Sequence, residues 1–253
     1  MPAVNLDRLD PQPKGFGRCG LCAYRDVGSA AVCFACASRG MDLVGRGHCQ
    51  TCDQKLPESG RCSNYWCNRP PDERYFDFIY AISMRSGSLQ SAINLYKYDN
   101  RRGWAAIFGR VLVGYLDEHP WVMEGWDAII PSPTYTGRGA RRRWDHIRLI
   151  LEKADLEAGG RWSFQLDPAY VEKSRETESL VGKTLVERRR ICETELRDAL
   201  RIPSPDGVTG RRFLVFDDVF TDGSTLREIA RFLRDAGALQ VGSIVLARQP
   251  WKS

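Results

Sequence analysis

From about residue 75 onward, short apolar runs alternate with segments whose apolar residues recur every three to four positions. The runs predict strands and the periodic segments predict amphipathic helices. Strands are expected over 75–81, 126–130, 213–217 and 241–246, with a short one around Tyr170 and Val171. The strand at 126–130 is stopped by Pro131-Ser132-Pro133. Helices are expected over 88–98, 104–116, 140–154, 184–200 and 224–236. In the first, Leu89, Ala92, Ile93 and Tyr96 share a face; in the third, Trp144, Ile147, Leu151 and Ala154 do. Strands joined by helices predict an α/β fold, an open and mainly parallel sheet with flanking helices. A ligand is expected at the C-terminal ends of its strands.

Before residue 70 this pattern is missing, and cysteine pairs take its place. Cys19/Cys22, Cys33/Cys36, Cys49/Cys52 and Cys62/Cys67 account for eight of nine cysteines. Each pair is spaced to offer two thiolates to one metal ion, and two pairs make a tetrahedral set. The expectation is a small double zinc-ribbon module with four cysteines to each ion. An iron–sulfur cluster is the lesser metal option and a disulfide scaffold the least. Sequential pairing of the four pairs is preferred, and a cross-braced pairing stays open. His48 adjoins Cys49 and reads as a neighbour of the ligands rather than as one of them. The module either substitutes a metal for a core too small to build, or contacts nucleic acid or protein through Arg18, Arg25, Arg39, Arg46, Tyr65 and Trp66. Cys192 stands alone on a predicted helix and reads as a small buried hydrophobe.

Three segments follow. Residues 1–14 are Pro-rich and polar and read as a flexible arm, 15–69 as the double zinc module, and 70–253 as the α/β domain, with Pro70-Pro71 as linker. Hydrophobic content of 43% and charged content of 27% fit a globular chain. No apolar run reaches the roughly 20 residues of a membrane span, and the first residues lack a secretory pattern, so no membrane insertion and a cytoplasmic location are expected. The formal charge of +5 misleads. Eight thiolates against two Zn²⁺ remove a net four charges and leave +1. Basic character is therefore local, at 138–143 and 188–190.

The chemistry concentrates in 212–225, Arg-Phe-Leu-Val-Phe-Asp-Asp-Val-Phe-Thr-Asp-Gly-Ser-Thr. A buried strand runs into two carboxylates, Asp217 and Asp218, and a short hydroxyl- and glycine-bearing loop opens a helix. Paired carboxylates accept hydrogen bonds from neighbouring sugar hydroxyls. A helix N-terminus with free amides favours phosphate. Together they describe a pocket for a ribose 5-phosphate.

This stretch resembles the signature of the type I phosphoribosyltransferases, which bind phosphoribosyl pyrophosphate (PRPP). With the cysteine pairs it resembles the ComF family of competence-associated proteins. The segment 80–98 ending Asn94-Leu95-Tyr96-Lys97-Tyr98 fits that family, as do Asp127 to Pro133, Thr177, Glu187-Arg188 and Gly237-Ala238 through Leu246-Ala247-Arg248. The resemblance implies a type I phosphoribosyltransferase fold that binds PRPP with Mg²⁺. Asp217 and Asp218 would hold the ribose hydroxyls. Thr221, Asp222, Gly223, Ser224 and Thr225 would form the 5-phosphate loop. Ser132, Pro133 and Thr134 would approach the pyrophosphate, with Arg138, Arg141, Arg142 and Arg143 covering it. Phosphoribosyl transfer to an unnamed acceptor is one implied function. A non-catalytic ligand-binding regulator, or a partner in handling single-stranded DNA, is the other. Departures fall around the same pocket: Arg142-Arg143-Trp144-Asp145-His146 stands for the family's Arg-Gly-Phe-Asn-Gln, Leu180 and Ile191 replace a Gln and an Asn, and Asp222 replaces a hydroxyl residue. A carboxylate in a phosphate loop repels the ligand unless it turns away or meets a cation. Asp222→Thr is accordingly expected to tighten binding.

Overall fold

The computed structural model describes residues 34–38, 41–44 and 47–250. In chain order the elements are α1 (Phe34–Ala37), β1 (Asp42–Leu43), α2 (Pro71–Arg74), β2 (Ile79–Met84), α3 (Gly87–Tyr98), α4 (Trp104–Glu118), β3 (Ala128–Pro131), α5 (His146–Ala158), β4 (Glu172–Lys173), α6 (Leu185–Ile191), α7 (Arg197–Ala199), β5 (Leu200–Arg201), β6 (Arg212–Phe220), α8 (Ser224–Asp235) and β7 (Gln240–Arg248). The main sheet has the order β1-β2-β7-β6-β3. β2, β7, β6 and β3 run parallel, and β1 joins the edge antiparallel to β2. β4 and β5 form a separate antiparallel pair. The open, mainly parallel sheet is therefore the observed architecture.

Strand alternation divides the core in two. On β6, Leu214 and Phe216 face α3, α4 and α5, while Phe213 and Val215 face α8 and the cysteine segment. On the first side, α4 buries ten of its fifteen residues and is wedged between α3 and α5. On the second, Leu226, Ile229, Ala230 and Leu233 of α8 share a core with Cys49, Cys52, Cys62 and Trp66. The cysteine segment is thus also pinned to the sheet: Ile79 N–H donates to the Thr51 carbonyl at 2.9 Å, and Ala81 N–H to Asp53 Oδ2 at 2.8 Å.

The strand expected at 75–81 starts only at Ile79, after the Pro71–Arg74 turn that ends on Tyr75, and the short strand expected at Tyr170 and Val171 lies at Glu172–Lys173. Three further boundaries differ from expectation for identifiable reasons. The helix expected at 140 starts at His146, because the Asp145 carboxylate caps it by accepting the N–H groups of Ile147 (3.0 Å) and Arg148 (2.9 Å). Trp144 and the arginine run therefore lie outside the helix. The long helix expected at 184–200 starts on a Thr184/Glu187 capping box but passes through a π-helical turn at Cys192–Leu196. β6 does not stop at Asp217. It continues to Phe220 because β7 stays in register with it to Arg248. Cys192 is buried, as expected of a small hydrophobe, and burial pushes its thiol up to about 12.

Candidate functional site

The two carboxylates of the motif sit within the strand, so the pleat sends them to opposite faces. Asp218 points toward α3 and α5. It is 2% exposed, and Lys97 Nζ lies 2.8 Å from its Oδ2 while donating to its Oδ1 at 3.0 Å. Burial opposes the charge of Asp218, but the Lys97 ammonium outweighs it and holds the carboxyl down at about 2. Asp217 points toward the N-terminus of α8. Burial raises its carboxyl to about 7, and the negative charge of Asp218 adds to the rise. Its Oδ1 accepts the Asp218 backbone N–H at 2.9 Å.

His146 stands beside Asp218, with Nε2 3.6 Å from Oδ2 and 3.2 Å from Arg142 Nη1. Burial drives the imidazole down to about 3, and the Lys97 and Arg142 cations push the same way against the pull of Asp218. It is neutral at pH 7. Since Arg142 can only donate, the network assigns the acceptor lone pair to Nε2 and the proton to Nδ1. Nδ1 is buried without a hydrogen-bond partner among the described residues. Tyr96 closes this side by donating to the His146 carbonyl at 2.6 Å.

On the other face, Asp217, Thr221, Asp222, Gly223, Thr225 and Arg188 line a small cleft that opens to solvent. Gly223 begins α8 at φ +95°, and a Cβ there would sit 2.9 Å from the Phe220 ring, so the turn needs glycine. Ser132 reaches the same cleft; its N–H donates to the Phe216 carbonyl at 2.9 Å. Ser224 is 2% exposed and its hydroxyl donates to Asp222 Oδ2, so that hydroxyl is directed into the protein. Thr134 hydrogen-bonds the capping carboxylate of Asp145. Pro133 is half-buried between them. The arginine run divides: Arg142 approaches His146, Arg141 is held by Glu176 at 2.8 Å, and Arg138 and Arg143 are exposed.

Below this loop lies the cysteine cluster. The sulfurs of Cys49, Cys52, Cys62 and Cys67 all fall within 4.8 Å of one another, with Cys52 and Cys62 3.7 Å apart. Thiolates at ~2.3 Å from a tetrahedral ion stand about 3.8 Å apart, so the set fits a metal. It is also the sequential pairing. N–H donors support the thiolates: Asn64 N–H lies 3.4 Å from Cys62 Sγ, and Arg248 Nη2 3.8 Å from Cys52 Sγ. His48 is not among the four ligands and lies in the bridge opposite Lys55. Of the first quartet, Cys36 is buried against the α4 side of the core. Cys19, Cys22 and Cys33 lie outside the described residues, as do the 1–14 arm, Arg18, Arg25, Arg39 and Arg46.

Three contacts that the motif does not announce join the cysteine cluster to the loop. Asn64 Nδ2 donates to the Asp222 carbonyl at 3.1 Å. Trp66 Nε1 lies 3.5 Å from Ser224 Oγ. Arg248, with no exposed surface, donates to the carbonyls of Cys52 (3.1 Å) and Thr221 (2.5 Å). Arg248 and Lys97 were visible only as letters of family-like segments; their partners are remote in sequence.

The model of the phosphoribosyl transferase domain family matches residues 168–252, a span that contains the β6 carboxylates and the loop. Over nearly the whole chain, the protein is similar to "DNA utilization protein YhgH" of Salmonella typhimurium, 26% identical over 241 residues that cover 92% of this chain and 97% of that protein. "Competence protein ComFC" of Streptococcus pneumoniae is 24% identical over 222 residues, 87% of this chain and 88% of that one. "Competence protein F" of Haemophilus influenzae is 26% identical over 235 residues, 85% and 96% respectively. Along nearly its whole length the chain is thus similar to competence proteins of the ComF kind. It is a ComF-like protein with a phosphoribosyltransferase domain and a cysteine cluster of metal-site geometry. Among the described residues no helix is long and apolar enough to cross a membrane.

Proposed function

We propose that this ComF-like protein binds PRPP in the cleft between the end of β6 and the start of α8, and transfers its phosphoribosyl group to a nucleophilic acceptor. The observation that carries the reading is the sharing of one cleft by Asp217 and the Thr221–Thr225 loop at a helix N-terminus. Backbone amides of the loop and the hydroxyls of Thr221 and Thr225 would hold the 5-phosphate, and Asp217, the one of the two acids that lines this cleft, would hold ribose hydroxyls, with Asp218 behind it on the other face of the strand. Ser132 to Thr134, with Arg142 and Arg138, would border the leaving pyrophosphate. In the reaction the C1–oxygen bond breaks with its electron pair leaving on pyrophosphate, and the acceptor lone pair forms the new bond to C1. Positive charge grows on the sugar, so the carboxylates stabilise it electrostatically. Mg²⁺ would neutralise the pyrophosphate. Carboxylate oxygens suit it, and Asp217, free of a lysine partner, is the group to meet it. The cysteine quartets would each hold one structural Zn²⁺, with 15–69 as the module that carries them and 70–253 as the transferase-like domain.

Calorimetric titration with PRPP and Mg²⁺ tests the reading. Saturable binding that Asp217→Asn weakens is the expected result, followed by pyrophosphate release with one member of a nucleobase panel. No heat at millimolar PRPP would sink it.

A second reading has its own support. Tyr65, 39% exposed, has two guanidiniums over its ring, Arg69 at 4.5 Å from the centroid and Arg189 at 4.2 Å. Such a cationic and aromatic ledge suits single-stranded DNA, and the relatives' names concern DNA use and competence. Single-strand binding should fall steeply with salt and be lost in Tyr65→Ala/Arg189→Ala. PRPP binding without pyrophosphate release would then point to a regulator rather than a transferase.

A further inference from the structure

Asp222 is the residue that most contradicts a phosphate loop, and the structure places a cation on it. It is 5% exposed, and both carboxylate oxygens are engaged. Oδ1 accepts from Arg188 Nε at 3.1 Å, and Oδ2 accepts the Ser224 hydroxyl. The loop carboxylate is thus neutralised from α6, a different element from the one that carries the motif.

Arg188 is held at two points. Besides the Asp222 contact, its Nη1 donates to the Leu180 carbonyl at 2.8 Å. A guanidinium has five N–H donors in a fixed fork. Nη2 makes no hydrogen bond to any described residue, while the side chain, 16% exposed, lines the cleft with Asp217, Thr221 and Gly223. Arg188 is the one cation among the described residues that lines it. A phosphomonoester carries nearly two negative charges, and the N–H groups of Nη2 can donate charge-assisted hydrogen bonds to its oxygens.

We propose that Arg188 is the phosphate-binding cation of this cleft and that Asp222 is its positioning residue. The carboxylate and the Leu180 carbonyl fix Nε and Nη1, so Nη2 is the donor left to a sugar 5-phosphate. Leu180 fits the same scheme: its backbone carbonyl supplies the second anchor. This inference rests on the cleft being a phosphoribosyl site, and it reverses the expectation that removing Asp222 tightens binding.

Ribose 5-phosphate is the probe, because it isolates the phosphate from pyrophosphate and Mg²⁺. Isothermal titration of the full chain should show Arg188→Gln binding about 10- to 100-fold more weakly than the wild type, with Arg188→Lys between them. Asp222→Asn should bind more weakly, by about 3- to 10-fold. Asp222→Asn/Arg188→Gln should be no weaker than Arg188→Gln alone, since Asp222 acts through Arg188. In the wild type, the Arg188 Nε–H resonance, assigned with Arg188→Lys, should shift on titration. That measurement needs only the conservative Arg188→Lys to fold, and stands if the other variants do not. Wild-type protein that ignores ribose 5-phosphate overturns both this inference and the reading of the cleft. Binding that Arg188→Gln leaves intact, a silent Nε–H resonance, or tighter binding by Asp222→Asn overturns the Arg188 assignment alone.

Discussion

Asp217 and Asp218 are neighbours in sequence and opposites in environment. Asp218 faces α3 and α5, locked to Lys97 with its carboxyl held near 2. Asp217 faces the phosphate-type loop, has no lysine or arginine partner in an ion pair among the described residues, and is raised to about 7. A motif of two acids therefore does not supply two equal ligands. The strand pleat separates them, and the charges brought by other elements decide which is permanently ionised. The bracing differs as well. The Asp217 face rests on the cysteine cluster through Asn64, Trp66 and Arg248, whereas the Asp218 face rests on helices.

Metal removal should break that comparison most strongly. Four thiolates gathered within 4.8 Å repel one another without an ion, and the knuckle shares its core with α8. Chelation should cost more than about 5 kcal/mol of stability, read by urea denaturation, and should move Trp66 fluorescence. Carboxyl NMR should show the Asp217 titration disturbed before that of Asp218. An unaltered melt after verified metal loss would show that the cluster does not brace the loop.

Lys97→Met comes next. It leaves a carboxylate with 3% side-chain exposure and only the more distant Arg142 cation to balance it, an imbalance that costs up to about 3–5 kcal/mol at pH 7. Lys97→Met/Asp218→Asn should regain most of the loss, because both charges go together. The sign with pH follows from the depressed carboxyl. The pair's stabilisation is present above the ordinary carboxyl value of 3.8 and is lost as pH falls through about 2. A wild-type protein whose acid limb Lys97→Met leaves unchanged would refute the pairing.

What could be read in advance follows from how local each signal is. The apolar run at Phe213–Phe216, the α3 face and the start of α8 depend on neighbours in sequence, and they appear as expected. The end of β6 depends on register with β7, and the end of the arginine run depends on whether Asp145 caps or merely flanks; neither is fixed by periodicity. The site charges are more remote still. Lys97 is 121 positions from Asp218, Arg188 is 34 from Asp222, and Arg248 is 196 from Cys52. Charge pairing at such distances is a property of the fold, so Asp222 looks repulsive as a letter and is neutralised in place.

The smallest expected effect is also the sharpest comparison of the two acids. A carboxyl raised to about 7 is favoured in its protonated form when folded. Its contribution to stability is fully present below about 3.8 and is lost as pH rises through 7, the reverse of Asp218. Asp217→Asn removes that loss. The variant should match the wild type near pH 4 and exceed it by about 1–2 kcal/mol at pH 8, a value reduced from the nominal shift because the side chain keeps some contact with solvent. Asp218→Asn should do the opposite at both ends, losing stability at pH 8 and little below pH 2. Parallel pH profiles for the two variants would mean that the strand does not divide the acids. In that case the pair would act on a ligand as the equal carboxylates its sequence implies.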